Sequence, residues 1–180
     1  IEVMRGPFSA LHGNSSGGVV QLWSAPGQPD DPWRLRATAG NHDAYTLGAQ
    51  WRGASGRVGY NLAALRFDGR GFREHSAARR DSVNARFDFS VDATRKLTLV
   101  LNQVDLPHAE DPLGLSAAQV RQDPRQATPA AIQFNTRKSV RQGQGGLSYE
   151  QSVGDAQTWR VMGYAGRRRV EQFLALPVAA

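Results

Sequence analysis

The chain has 180 residues, 22 basic and 16 acidic side chains, a net charge of +6 and no cysteine. The missing cysteines exclude a disulfide framework and any thiolate metal site. No apolar run approaches the ~18–20 residues that a membrane-spanning helix requires.

The first residues form their own unit. Ile1-Glu2-Val3-Met4-Arg5 reads as a short strand broken by Gly6-Pro7. Pro7 can open a single helical turn over residues 8–12, and Gly13 can stop it. Gly17-Gly18 then leads into a second strand through Val19, Val20, Gln21, Leu22 and Trp23. About seven strands are expected after residue 30, near 33–39, 44–52, 57–67, 80–91, 96–104, 138–153 and 157–173. The clearest is the fourth. Val83, Ala85, Phe87, Phe89 and Val91 share one face, and Ser82, Asn84, Arg86, Asp88, Ser90 and Asp92 share the other. A strand sorts residues with period two automatically, and a helix would not. Tyr45, Leu47, Ala49 and Trp51 alternate with polar neighbours in the same way, as do Leu147, Tyr149 and Val153, with Gln151 interrupting the apolar set.

The later strands exceed the ~5–6 residues of an ordinary soluble strand, and such lengths suit tilted strands crossing a membrane. All nine prolines fall outside the expected strands, consistent with the ladder hydrogen bond a proline removes. The connections alternate in length. Tight turns are expected at 53–56, 92–95 and 154–156, and long loops at 68–79 and 105–137, with a short outer hairpin at 40–43. One short-turn side and one long-loop side is the habit of an outer-membrane barrel, with the long loops outside. In the longest loop, Ser116-Ala117-Ala118-Gln119 reads as a capping box, opening a short helix that stops before Pro124. A loop of this size is either a binding loop or a flexible excursion.

The run IEVMRGPFSALHGNSSGGVVQL resembles the end of the plug domain of TonB-dependent outer-membrane receptors of the ferric-siderophore type. There a segment close to IEVLRGPxSxLYGxxxxGGVI precedes the first barrel strand. The matching positions are Ile1, Glu2, Val3, Arg5, Gly6, Pro7, Ser9, Leu11, Gly13, Gly17, Gly18 and Val19, while His12 stands where the family usually has tyrosine. Residues 123–126 and 133–138 look like segments of some ferric-siderophore receptors. The chain opens on Ile1 without a leader and closes on Leu-Pro-Val-Ala-Ala, so an internal fragment is expected.

The resemblance implies an all-β fold. Residues 1–26 would end a plug domain, 27–32 would be a linker, and 33–180 would begin a transmembrane β-barrel of about 22 strands. About seven strands cannot close such a barrel, so an open curved sheet is expected, with the first 25 residues against its inner, polar face. The implied function is TonB-dependent uptake of a ferric siderophore across the bacterial outer membrane, driven from the inner membrane through a contact segment outside this chain. Such a protein catalyses no covalent chemistry and holds no resident cofactor or metal. Its partners would be the chelate, the TonB complex, and the outer membrane with its lipopolysaccharide. The alternatives are copper or vitamin uptake by the same architecture, or a passive porin, against which the first 25 residues argue. A soluble β-rich enzyme or binding module is the reading from another class. In the family, the arginine matching Arg5 can pair with barrel carboxylates, the alternative for Arg5 being a solvated or loop-capping role. Gly6, Gly13, Gly17 and Gly18, with Pro7, are read as residues of backbone geometry.

Other constellations carry less. Gly13-Asn14-Ser15-Ser16-Gly17 matches the nucleophile elbow, but the elbow needs a strand before its serine and a helix after it, and here the order is reversed. His12, His42, His75 and His108 lack ligand spacing. His42, His75 and His108 fall in outer loops, where His75 and His108, with Arg125, could face a ligand or simply be solvated. The charges are spread singly except at Arg79-Arg80 and Arg167-Arg168-Arg169. A solvated or lumen-facing surface is favoured over a phosphate-binding patch, and no nucleic-acid partner is expected. The arginine triplet reads as a rim toward lipopolysaccharide or an anionic chelate, or as a solvated strand extension. Trp23, Trp33, Trp51 and Trp159 lie near strand ends, where a barrel places aromatic girdles and a soluble sheet its core.

Overall fold

The computed structural model describes residues 1–6, 17–29, 32–154 and 156–176. Two antiparallel sheets are present among them. The first is a ribbon of β1 (Glu2–Arg5) and β2 (Gly18–Gln21), with Arg5 opposite Gly18. The second is a seven-stranded meander of β3 (Trp33–Ala39), β4 (Tyr45–Ser55), β5 (Val58–Gly69), β6 (Ala78–Ser90), β7 (Arg95–Glu110), β8 (Arg137–Val153) and β9 (Gln157–Phe173). Each strand pairs with its neighbours in sequence, and β3 and β9 remain as open edges. The fold is therefore all-β with an unclosed sheet, as expected. β8 and β9 reach 17 residues each, well beyond the ~9–11 residues that cross the hydrocarbon of a membrane.

Cross-strand register stacks like with like. One face carries Trp33 opposite Trp51, Trp51 opposite Leu62, Leu62 opposite Ala85, Ala85 opposite Leu101, and Leu99 opposite Leu147. Near the short turns this face is aromatic. Trp33 and Trp51 stack at 5.4 Å between centroids, Trp51 meets Tyr60 at 4.7 Å, and Phe87, Phe89, Tyr149 and Trp159 continue the row. Toward the long loops the same face turns ionic. Arg66 Nε lies 2.6 Å and Arg79 Nε 3.1 Å from Asp81, Arg141 lies 3.4 Å from Asp105, and Arg169 pairs with Glu171. An apolar band bounded by an aromatic row below and an ion-pair ladder above matches the lipid-facing side of a membrane barrel. The opposite face carries Gln50, Asn61, Asn84, Arg86, Asp88, Lys96, Asn102, Gln144, Glu150 and Arg160 by the same registers.

No soluble core compensates for that band. Ala85, Ala127 and Ala131 are the buried hydrophobic residues among those described, whereas Leu35 is 78% and Val161 66% exposed. Single exposed apolar side chains are ordinary, but a continuous face of them requires a partner.

Two sequence expectations need correction. β7 runs to Glu110 rather than ending near 104, so Pro107 lies inside a strand and the long loop shortens to residues 111–136. The sheet accommodates Pro107 at a double irregularity. Pairing to β6 shifts between Arg79 and Asp81, and pairing to β8 shifts between Leu106 and Ala109. A bulge leaves a residue out of the ladder, which is where a residue without an N–H can sit. The first tight turn is also shorter than 53–56. Ser55 pairs with Val58, leaving the two-residue turn Gly56-Arg57, with Gly56 at φ 56°, a left-handed conformation that glycine adopts without strain.

Candidate functional site

Two assemblies of polar side chains stand out. One is on the inner face, where residues 24–27 cross the wall as a strap. Their carbonyls have no strand partner and must be satisfied otherwise. The wall supplies the donors strand by strand. From β6, Arg86 Nη1 donates to Ser24 O at 2.5 Å, and Ser24 Oγ donates to Asn84 Oδ1 at 3.0 Å. From β5, Asn61 Nδ2 donates to Ala25 O at 2.8 Å. From β4, Arg52 Nε donates to Pro26 O at 2.8 Å. Gln50 Nε2 fixes the Asn61 carboxamide by donating to its oxygen at 2.8 Å. Arg86 is held in turn by a fork to Asp88, at 2.8 and 2.9 Å, and Asp88 also meets Thr98 at 2.8 Å and Lys96 at 3.3 Å. Gly27 closes the strap against Gly59, and a Cβ on Gly27 would lie 2.2 Å from Gly53 O and 2.4 Å from Tyr60 N. The strap thus lies on the Asn84 and Arg86 face, the polar side on which the sequence places the opening segment. Next to it, Leu22 and Trp23 look into a cavity of about 860 Å³ lined also by Lys96, Glu150 and Arg160.

The predicted signature residues are only partly in view. Arg5 is on β1 with an exposed side chain, and among the described residues the structure does not bring it to a wall carboxylate. Gly6 and Gly18 have φ of 122° and 148°, and Gly6 N donates to Gly17 O at 3.5 Å. A Cβ on Gly18 would meet Met4 O at 2.7 Å, so this closing of the β1–β2 ribbon demands glycine. Pro7, Gly13, His12, the helical turn over 8–12 and the serines of the elbow-like run lie outside the described residues.

The second assembly joins the two long loops. Residues 111–136 contain two short helices, α1 (Ala117–Gln122) and α2 (Pro129–Phe134). The capping box at Ser116 and Gln119 is formed as expected, and α1 ends before Pro124. The second helix was not anticipated, although Thr128 as N-cap with proline in the first turn is a start signal. From the loop between β5 and β6, Arg73 grips this structure through three carbonyls: Leu113 O at 2.6 Å, Gln126 O at 3.0 Å and Pro112 O at 3.1 Å. Glu74 N donates to Arg125 O at 2.7 Å. Of the predicted ligand-facing residues, Arg125 sits over the Phe72 ring at 5.6 Å. His75 and His108 converge on Glu110, with the His75 side chain 10% and the His108 side chain 45% exposed. Burial opposes ionisation of Glu110, yet the Ala77 amide and the two histidines hold its carboxyl below the usual range. Of the three histidines expected in outer loops, His108 lies instead within β7, near its end, and His42 packs edge-on against Phe72. Neither Arg73 nor the strap donors were singled out from sequence, because their partners are backbone carbonyls that carry no residue signature.

No protein-family model matches the chain. Among solved structures, the chain is similar to the ferric citrate transporter FecA in its unliganded form, at 21% identity and a TM-score of 0.63. The match covers 78% of this chain and 21% of that one, so the chain spans about a fifth of the length of its neighbour. The seven-stranded sheet of this chain therefore shares the fold of a stretch of that structure.

Proposed function

We propose that this chain is the plug-to-barrel junction of a TonB-dependent outer-membrane receptor that takes up a ferric siderophore or a related iron chelate. Residues 1–26 end the plug, 27–32 link it to the wall, and 33–180 begin the barrel. The observation that carries this reading is the strap. A plug-like opening segment leads into residues pinned by Arg86, Asn61 and Arg52 to the polar face of a sheet whose other face is apolar. A passive porin has no need of such an attachment. The FecA neighbour, a ferric citrate transporter by name, favours an iron chelate over copper or a vitamin. The outer membrane holds neither ATP nor an ion gradient, so the energy for release must arrive mechanically through the plug. Arg5 is proposed to engage a carboxylate of the barrel. His75 and Arg125 in the loops, with His108 near the end of β7, are proposed as the residues a chelate meets first, and the ion-pair ladder as the rim facing lipopolysaccharide.

The test is uptake of radioiron by cells with and without the gene that encodes this chain, supplied as ferric citrate and as a ferric hydroxamate. Uptake that requires the gene and stops when a protonophore collapses the proton-motive force is expected. Uptake that persists under the protonophore would favour a porin, and a requirement only for copper or cobalamin would move the ligand class.

A further inference from the structure

We propose that the strap is a force stop: a pull on the opening segment draws residues 1–23 away from the wall and halts at Ser24. The ground is the order in which the contacts come under load. Residues 24–26 are held in turn from β6, β5 and β4. A force applied ahead of residue 24 therefore reaches Ser24 before Ala25, Pro26 or Gly27. Contacts loaded one after another open like a zipper, and the first of them sets the force at which the rest can follow.

That first link is the best held of the series. Ser24 is tied twice, its carbonyl accepting from Arg86 Nη1 at 2.5 Å and its hydroxyl donating to Asn84 Oδ1 at 3.0 Å. A bond from a guanidinium is roughly twice as strong as one between neutral groups. Arg86 cannot swing after a departing strap, because its Nε and Nη2 are forked on Asp88, with the two side chains only 16% and 10% exposed. Asp88 is itself tied to β7 through Thr98 and Lys96. Load at Ser24 thus passes into two strands that are paired along most of their length. Behind it stand a neutral bond from Asn61 to Ala25 O and an exposed one from Arg52 to Pro26 O.

Upstream the structure is weak. β1 and β2 make a ribbon of four register pairs with no third strand among the described residues, and a two-stranded ribbon is marginal in water. Its facing Val3 and Val20 are exposed, as are Leu22 and Trp23 where the chain leaves the ribbon. The weakest stretch therefore lies directly before the strongest attachment, and the boundary between what moves and what stays falls between Trp23 and Ser24. A passage opened by a pull is made by displacing residues ahead of that boundary, and the strap keeps the place to which they return. That such a pull occurs rests on the receptor reading; the holding geometry does not.

The test is optical-tweezer extension of the full-length protein in detergent micelles. Thiol handles are placed by Ile1→Cys and, in the turn after β6, by Ala93→Cys, in a background without other cysteines; this chain contributes none. Extension is expected to pause at about 80 Å, the reach of residues 1–23 at ~3.5 Å each. A second release at higher force should add roughly 30 Å, the reach of residues 24–32 at the same ~3.5 Å. Arg86→Met with Asp88→Asn removes the buried ion pair as a pair and should abolish the pause. Asn61→Ala leaves the first link in place and should keep both the pause and its release force. A wild-type curve that runs through to the wall without pausing at that length overturns the force stop, and this result needs no variant to fold. So does a pause that survives the double substitution, or one that Asn61→Ala removes just as completely. Because the curves involve no transport, they fail independently of the receptor reading, which stands or falls on uptake.

Discussion

Gly27 has no room for a methyl group. A Cβ there would sit 2.2 Å from the carbonyl oxygen of Gly53 and 2.9 Å from the carbonyl carbon of Gly59, and backbone atoms of a paired hairpin cannot step aside cheaply. Gly27→Ala should therefore lift the strap from β4 and β5 at a cost of roughly 1–3 kcal/mol. Faster amide exchange across residues 24–28, with β6 unchanged, would report it. Asn61 tests the same contact from the wall side. It is 4% exposed, accepts from Gln50 and donates to Ala25 O. Asn61→Ala removes two part-buried hydrogen bonds, to Gln50 and to the Ala25 carbonyl, each worth about 0.5–1.5 kcal/mol, whereas Asn61→Asp keeps an acceptor for Gln50 but sets an anion against a carbonyl. Both should lower the denaturant midpoint of the strap relative to the sheet. At the same short-turn end of the sheet, the turn after β6 depends on Asp92. The Arg95 guanidinium first, then the Thr94 amide and hydroxyl, hold its carboxyl well below the usual carboxylate range. A depressed folded value means that the contribution is complete above the ordinary carboxylate pKa and fades as pH falls through the depressed one. The amides of Thr94 and Arg95, which donate to Asp92 Oδ1 at 2.9 and 2.8 Å, should accordingly exchange faster in Asp92→Asn at neutral pH. The difference between variant and wild type should shrink only in strong acid.

At the scale of elements, the sheet was readable because its rule is local. Alternation along β6 sets Phe87 and Phe89 on one side and Arg86 and Asp88 on the other, and no long-range information is needed to see it. The expected span of β9 coincides with the strand itself. The sequence ends β7 near residue 104 because a proline inside a strand argues against the strand unless a bulge absorbs it, and the irregularity around Pro107 exists only through pairing with β6 and β8. The loop assembly was invisible for a different reason. Arg73 reads as one more surface arginine, yet its guanidinium binds three carbonyls 39 to 53 residues away in sequence. Removing it should separate the loops without disturbing the strands beneath. Arg73→Ala is expected to expose Arg121 and Arg125 to trypsin at least several-fold faster, while Arg73→Lys, which offers a point charge in place of a planar fork, recovers little of the protection. Equal cleavage rates in wild type and Arg73→Ala would show that the loops hold together without this residue.

For the whole molecule, the orientation of the wall makes a claim that its four tryptophans can decide. Trp33, Trp51 and Trp159 stand on the apolar face near the short turns, with Trp33 and Trp51 stacked. Trp23 lies on the opposite side, lining the strap cavity with Asn84, Arg86 and Glu150. If the apolar face meets lipid, three rings sit at one membrane interface, where tryptophan finds both hydrocarbon and water, and one ring sits in the lumen. Variants that retain a single tryptophan, the others replaced by phenylalanine, can be folded into bilayers whose acyl chains carry bromine close to the headgroup. Bromine quenches by contact, so emission from Trp33, Trp51 and Trp159 should fall strongly, whereas Trp23 should be quenched by aqueous iodide and left largely untouched by the lipid. The opposite pattern would turn the wall inside out, placing Arg86, Asp88, Lys96, Glu150 and Arg160 in hydrocarbon, where buried ions are costly. Equal quenching of all four by iodide would instead leave the sheet in water, with its continuous apolar face still unexplained.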